Sequence, residues 1–266
     1  MDEWSEAVDV IGEAADRLWE AARSGKPCPP VREMLPDRTA ETGYAVQEVN
    51  TRRALAEGRR LVGRKIGLTS QAVQRQLGVD RPDFGMLFAD MAHLDGLPIP
   101  TGIFLQPRAE AEIALVLKKG LEGGGPFTVA DVIRATDFVL PAIEIADSRI
   151  EGWDITIVDT VADNAAGGAF VLGDTPMSLT GLDLRLAGMT MKRRGQEVST
   201  GAGASCMGNP LNAVVWLANT LAATDFPLTA GDIVLTGALG PVVEVEPGDV
   251  FEACIDGVGS VRAVFE

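Results

Sequence analysis

The sequence has a single histidine, His93, and three cysteines, Cys28, Cys206 and Cys254. A Ser-His-Asp or Cys-His machine would have to be built on that one imidazole, and a zinc site with two histidines is excluded. His93 stands just before a turn, in Asp90-Met91-Ala92-His93-Leu94-Asp95-Gly96, where a structural or surface role is expected. The cysteines are few, far apart and odd in number, which points to free thiols in a reducing cytoplasm rather than a disulfide framework. No uninterrupted apolar run approaches the ~18 residues of a membrane span. The N-terminus, Met1-Asp2-Glu3-Trp4-Ser5-Glu6, is acidic where a secretion signal would be basic. Basic residues are also scarce: 23 Lys and Arg against 38 Asp and Glu leave a net charge of −15, so neither a nucleic acid nor an anionic membrane is expected as partner. No Gly-x-x-x-x-Gly-Lys-Ser/Thr occurs, so a phosphate-cradling loop is unsupported, and there is no internal repeat or low-complexity tract. Any catalysis must rest mainly on carboxylates, lysine, hydroxyls and a hard metal.

What is present is an ordinary globular balance: 266 residues, 46% apolar and 23% charged. A chain of this size buries about three-quarters of its unfolded surface, which removes the disordered and collagen-like classes. Trp4, Val8, Ile11, Ala15, Leu18 and Ala22 recur at helical steps, predicting an amphipathic helix that ends at Gly25-Lys26-Pro27. A second helix is expected from about Thr42 to Glu57, and a third from Pro210 to Leu221, with proline in its first turn. Strands are expected at 60–67, 110–116, 139–146, 169–172, 232–236 and 250–255. The chain therefore reads as α+β and β-rich: a small helical N-terminal region, 1–60, and a β-rich catalytic domain, 61–266.

Three stretches carry chemistry. In Gln106-Pro107-Arg108-Ala109-Glu110-Ala111-Glu112-Ile113, strand alternation puts Glu110 and Glu112 on one face, roughly 7 Å apart. They are either solvated acids on an exposed edge or two ligands of a divalent cation. In Val139-Leu140-Pro141-Ala142-Ile143-Glu144-Ile145-Ala146 the lone acid Glu144 needs a partner, either as a third metal ligand or paired with Arg108 or Arg149. Three carboxylates without histidine suit Mg²⁺ or Mn²⁺. Lys65, between Gly63 and Gly67, is either a solvated strand-end lysine or one that binds a carboxylate or carries protons with a lowered pKa. The stretch Asp80-Arg81-Pro82-Asp83-Phe84-Gly85 reads as a turn or lid, and Gly201–Gly208 as a loose glycine loop without a dinucleotide fingerprint.

Taken together, Gly63-Arg64-Lys65-Ile66-Gly67-Leu68-Thr69-Ser70, Pro82-Asp83-Phe84-Gly85, Gln106 to Ala114, Pro141-Ala142-Ile143-Glu144, Val158-Asp159-Thr160-Val161-Ala162-Asp163-Asn164, Asn209 to Ala218 and Gly231 to Pro241 resemble the 2-keto-4-pentenoate hydratases of the fumarylacetoacetate hydrolase superfamily. The similarity runs in order through nearly the whole chain. It implies a mixed β roll behind a small helical region, and Mg²⁺- or Mn²⁺-dependent hydration of 2-hydroxypenta-2,4-dienoate to 4-hydroxy-2-oxopentanoate in meta-cleavage aromatic catabolism. It implies Glu110, Glu112 and Glu144 as metal ligands, Lys65 and Asp83 as the catalytic pair, and Ser70, Gln106 and Thr236 near the substrate. It also implies a cytoplasmic homo-oligomer, a pentamer or decamer, with a downstream aldolase as candidate partner. Within the superfamily, 4-oxalocrotonate decarboxylase is the rival reading, disfavoured by the Pro82-Asp83-Phe84-Gly85 turn. A carbon–carbon hydrolase would need His93 near the metal, and a non-catalytic assembly subunit would not need five intact polar residues.

Overall fold

The computed structural model describes the backbone at residues 3–70, 74–75 and 79–266, with side chains from residue 10. Two helices lead, α1 (Glu3–Ser24) and α2 (Ala40–Ala56). Of the inward positions expected on α1, Trp4 and Val8 lie outside the described side chains, while Ala15 and Leu18 are buried. The second helix begins two residues before the apolar pattern does, because the hydroxyl of Thr39 caps it by accepting from the Thr42 amide.

Two sheets follow. The first has eight strands: β1 (Leu61–Gly67), β2 (Asp83–Phe88), β3 (Ala92–Leu94), β5 (Arg108–Leu117), β6 (Thr136–Ala146), β7 (Gly167–Leu172), β10 (Ile233–Leu235) and β11 (Val243–Glu244). Their spatial order is β2-β1-β10-β5-β6-β7-β3, with β11 beside the start of β5. Pairing is antiparallel except at β1–β10 and β3–β7, so the sheet is mixed. The second sheet, in the order β4-β13-β12-β8-β9, uses β4 (Pro98–Ile99), β8 (Gly188–Arg193), β9 (Gln196–Ala202), β12 (Val250–Ile255) and β13 (Gly259–Phe265). Three further helices are α3 (Val129–Ala135), α4 (Ile157–Ala162) and α5 (Pro210–Leu221). The last has the expected bounds: Pro210 sits in its first turn and Asn209 caps it by accepting from the Leu211 amide.

One apolar cluster joins the sheets, combining Ile113, Leu115, Ile143 and Ile145 of the first with Met191, Phe251, Ala253, Val261 and Phe265 of the second. A smaller cluster beneath α1 and α2 is completed by Ile150, Val158 and Ala162, from well beyond residue 60. No helix among the described residues is long and apolar enough to cross a membrane.

The expected turn at 80–85 is corrected. Pro82 and Gly85 resemble turn residues, but Asp83 opens the buried strand β2, while Leu77 and Gly78 lie outside the described residues. β2 is an edge strand, and its outward backbone groups are closed by side chains rather than by another strand. The Phe84 amide donates to the Tyr44 hydroxyl, and the Gln47 carboxamide donates to the Phe84 carbonyl. Asn164 accepts from the Met86 amide and donates to the Met86 carbonyl. Period-two patterning cannot reveal such a strand, since β2 is buried along its whole length.

A buried ion pair anchors the chain between β6 and β7. Asp163 accepts from the Arg149 guanidinium, from the Arg149 amide (2.8 Å) and from the Ser148 hydroxyl (3.1 Å). Arg149 also donates to the Gly167 carbonyl at 2.9 Å. Removing the carboxylate leaves a guanidinium buried without its counter-charge. Asp163→Ala is therefore expected to lower the unfolding free energy by about 3–5 kcal/mol, read from chemical denaturation. A loss below about 1 kcal/mol, the scale of an exposed pair, would show that this pair does not anchor the segment.

Candidate metal centre and active site

The register of the first sheet decides which side chains meet. Glu110 on β5 stands directly opposite Glu144 on β6, and Glu112 lies two residues further along the same face. Across β10 the register runs Ala114–Leu235–Lys65, which puts Lys65 on that face too. From β1 it continues through the pairs Lys65–Gly85 and Gly67–Asp83, which adds Asp83. Four carboxylates and one ammonium thus share one face. Lys65 is three strand spacings and four residues of register from Glu144, roughly 19 Å backbone to backbone in a flat sheet and further than the two side chains span, yet its Nζ lies 2.9 Å from Glu144 Oε1. The sheet must curl, with this face concave.

The partner of Glu144 is therefore Lys65, neither of the arginines. Arg149 is held by Asp163, and Arg108 reaches Glu244 at 3.6 Å and stacks 4.1 Å over the Trp153 ring. Lys65 is not a lysine with a lowered pKa. Burial opposes its charge, but Glu144, Asp83, Glu110 and Glu112 outweigh burial and hold it above the usual lysine range. Lys65 also donates a 3.0 Å hydrogen bond to the Ala165 carbonyl.

The three glutamates lie close enough for one ion: a carboxylate oxygen from each falls within 4.8 Å of the others. Glu112 and Glu144 are buried and Glu110 is half-buried. Burial, with Glu144 close by, pushes Glu110 up to about 7 and Glu112 well above the usual carboxylate range. Both oxygens of Glu144, Oε1 of Glu112 and Oδ1 of Asp83 are buried without a hydrogen-bond partner; the Lys65–Glu144 contact is close but not aligned as a hydrogen bond. Orphaned anionic oxygens and an oxygen-only donor set fit a hard divalent cation. The other oxygen of Glu112 accepts the Gly237 amide at 2.8 Å, which fixes its orientation. Gly237 has φ +108°, and a side chain there would strike Thr69.

Asp83 is pushed up to about 6, chiefly by burial, with Lys65 working against the shift. A methyl group added to Gly67 would stand 2.2 Å from Asp83 Oδ1 and 3.5 Å from Lys65 Nζ, so glycine keeps open the space where the pair converges.

The three remaining candidates have the following surroundings. Ser70 is half-buried in the loop after β1. Thr236 is fully buried, and its hydroxyl donates to the Ile113 carbonyl at 2.9 Å. The Gln106 carboxamide donates to the Ser148 and Ile150 carbonyls and accepts the Gly152 amide. The side-chain polar groups of Gln106 and Thr236 are thus already used in holding the protein together. Among the described residues, none of the three hydrogen-bonds to the acid–lysine cluster. His93 is excluded by register: it pairs with Val171, which pairs with Ile143, so it belongs to the face opposite Glu144. The sequence reading missed Gly237 and Ala165, because both act through backbone groups that leave no side-chain signature.

The turn that offers the Ala165 carbonyl is strained. Asn164, Ala165 and Ala166 have φ of 55°, 51° and 52°, a left-handed run that costs roughly 1–2 kcal/mol per ordinary residue. Such strain persists only where surroundings over-determine it, and it concentrates at functional sites.

The same architecture occurs in proteins of known structure. The chain superposes with a TM-score of 0.91 on 4-oxalocrotonate decarboxylase from Pseudomonas putida G7, complexed with magnesium and adipate, at 37% identity over 97% of both chains. It is 57% identical over 254 residues to 2-keto-4-pentenoate hydratase of Paraburkholderia xenovorans, covering 96% of this chain and 94% of that one. It is 56% identical to 2-keto-4-pentenoate hydratase 1 of Dechloromonas aromatica, covering 98% and 99%. Residues 49–266 match the fumarylacetoacetate (FAA) hydrolase C-terminal family. That match takes in every strand of both sheets and all five clustered polar residues, and the chain belongs to the fumarylacetoacetate hydrolase family.

Proposed function

We propose that the chain is a hydro-lyase that adds water to 2-hydroxypenta-2,4-dienoate, giving 4-hydroxy-2-oxopentanoate, as a step of aromatic meta-cleavage catabolism. The observation that carries this reading is the 57% identity to a 2-keto-4-pentenoate hydratase along 96% of the chain, with Lys65, Asp83 and the three glutamates gathered on one concave face. Glu110, Glu112 and Glu144 would hold the divalent cation, Mg²⁺ or Mn²⁺. Such an ion supplies Lewis-acid stabilisation of negative charge on the substrate's carboxylate and 2-oxygen.

The protein's own groups have defined tasks. Ketonisation moves the 2-hydroxyl proton to C5 and leaves C4 electrophilic. Water oxygen then bonds to C4, and a water proton ends on C3, so one water is gained. Asp83, ionised at neutral pH, takes up the proton released at each stage. Lys65 donates hydrogen bonds to oxygen as charge develops there. Gly67 leaves room for substrate beside both. Ser70 is the remaining hydroxyl proposed for substrate contact, with Gln106 and Thr236 supporting the site walls. The assembly is proposed to be a homo-oligomer in the cytoplasm, handing its product to an aldolase.

The decarboxylase reading draws support from the 0.91 TM-score. The lower identity, 37% against 57%, weighs against it. The deciding assay mixes metal-stripped protein, resupplied with Mg²⁺ or Mn²⁺, with the dienoate and identifies the product by mass. Metal-dependent gain of one water is expected; carbon dioxide release from 2-oxo-3-hexenedioate instead would make the protein a decarboxylase.

Three variants test the assignments. Glu112→Gln should weaken Mn²⁺ binding and cut turnover by at least about 100-fold while the fold survives; unchanged Mn²⁺ binding would remove Glu112 from the ligand set. Lys65→Ala should lower kcat/KM by about 100- to 1,000-fold, and a change under tenfold would end its central role. Asp83 must be ionised to accept a proton, so kcat/KM should fall as the pH drops through about 6, or lower once the cation is bound. Asp83→Asn should abolish that acidic limb together with most activity; a limb that survives in the variant belongs to another group.

A further inference from the structure

We infer that Asn164 is a positioning residue: it locks the left-handed turn 164–166 so that the Ala165 carbonyl holds Lys65 Nζ in its working place relative to Asp83. The inference rests on the reading of Lys65 as a catalytic group. An ammonium on a four-carbon stem has many rotamers, and its ion pair with Glu144 restrains distance more than direction. The aligned bond that Lys65 makes is the 3.0 Å donation to the Ala165 carbonyl. A neutral carbonyl fixes the direction of the ammonium without removing its charge.

That carbonyl faces Lys65 because three successive residues have positive φ, and two of them are alanines that do not favour it. Asn164 supplies the lock. Its carboxamide accepts from the Met86 amide at 2.7 Å and donates to the Met86 carbonyl at 3.0 Å, pairing with the free edge of β2. Gly85 permits this approach, since a side chain there would stand 2.2 Å from the Asn164 carbonyl. The far end of the turn is tied as well: the Ala166 amide donates to the Asp163 carbonyl and the Asp147 amide to the Ala166 carbonyl. The strand that Asn164 grips is the strand that begins with Asp83. One side chain therefore sets the turn that aims Lys65 and ties it to the strand that carries Asp83. No hydrogen bond of the turn goes to the three glutamates among the described residues; the turn reaches the ion-binding cluster through Lys65, whose Nζ lies 2.9 Å from Glu144.

The test is a double-mutant cycle on the metal-loaded enzyme with single-turnover readout, alongside Mn²⁺ binding followed by the paramagnetic resonance of free Mn²⁺. Asn164→Ala is expected to lower kcat by about 10- to 100-fold with KM changed less than about threefold, since misplacement of a reacting group acts mainly on kcat. Mn²⁺ affinity should stay within about twofold. In a Lys65→Ala background the same substitution should change kcat by less than about twofold, because residues acting through one group are not additive. If Asn164→Ala does not fold, Asn164→Asp, which keeps the size and the acceptor but loses the donor to Met86, carries the same cycle. An unchanged kcat, a full additive loss on top of Lys65→Ala, or a tenfold loss of Mn²⁺ affinity overturns the inference. A Lys65→Ala enzyme as active as the natural one overturns the role of Lys65 itself, an outcome distinct from the other three.

Discussion

Four carboxylates and one ammonium crowd the concave face of the first sheet. Left alone, that arrangement repels itself: burial and mutual repulsion raise Glu110, Glu112 and Asp83 above the ordinary carboxylate range, and oxygens of Glu112, Glu144 and Asp83 lack partners. Much of the surrounding structure serves to keep this unfavourable cluster in place. Small residues, Ala114, Ala142 and Ala146, share its face on β5 and β6, next to Leu140 of β6 and Leu235 of β10. Backbone groups do the fine orientation, the Gly237 amide on Glu112 and the Ala165 carbonyl on Lys65. A divalent cation relieves the repulsion that the protein alone leaves standing, which makes affinity for the ion and instability of the empty cluster two aspects of one electrostatic fact.

The other face of the sheet supplies the stability that allows this. Ile113, Leu115, Ile143 and Ile145 pack against Phe251, Phe265 and Val261, so strands β5 and β6 are apolar towards the second sheet and acidic towards the site. The edge strand β2 is closed by Tyr44 and Gln47 from α2 and by Asn164, which makes the helical N-terminal segment part of the wall behind Asp83. The buried Arg149–Asp163 pair pins the segment from which the left-handed turn emerges. Strain at residues 164–166 is thus held from both ends by hydrogen bonds, as expected where a strained backbone serves a site.

Much of this was legible in the sequence, because local periodicity carries it. Alternation along residues 110–116 put Glu110 and Glu112 on one face, and the lone acid in an apolar run marked Glu144 as needing a partner. The helix at 210–221 announced its own start through Pro210. Other features misled for identifiable reasons. Pro82 and Gly85 imitate a turn, yet Asp83 opens a strand buried along its whole length. The resemblance puts Gln106 and Thr236 near the substrate; in the structure their side chains donate to the backbone carbonyls of Ser148 and Ile113. Glu144 was expected either as a third metal ligand or paired with Arg108 or Arg149; it stands with Glu110 and Glu112, while those two arginines are engaged elsewhere.

The sequence by itself determined three of the helices and strands β1, β5, β6, β7, β10 and β12, the apolar and polar faces of the central strands, and an oxygen-rich, histidine-poor chemistry suited to a hard cation. Only the tertiary structure decided which of these residues meet. Register across four paired strands brings Lys65 onto the face of the glutamates, and curling of the sheet together with the reach of the two side chains brings Nζ to 2.9 Å from Glu144. The charge on Lys65 was decided there as well, because it depends on how many carboxylates the fold gathers round a buried amine, and no local pattern encodes that number. Local periodicity fixes where a side chain points; long-range pairing fixes what it finds.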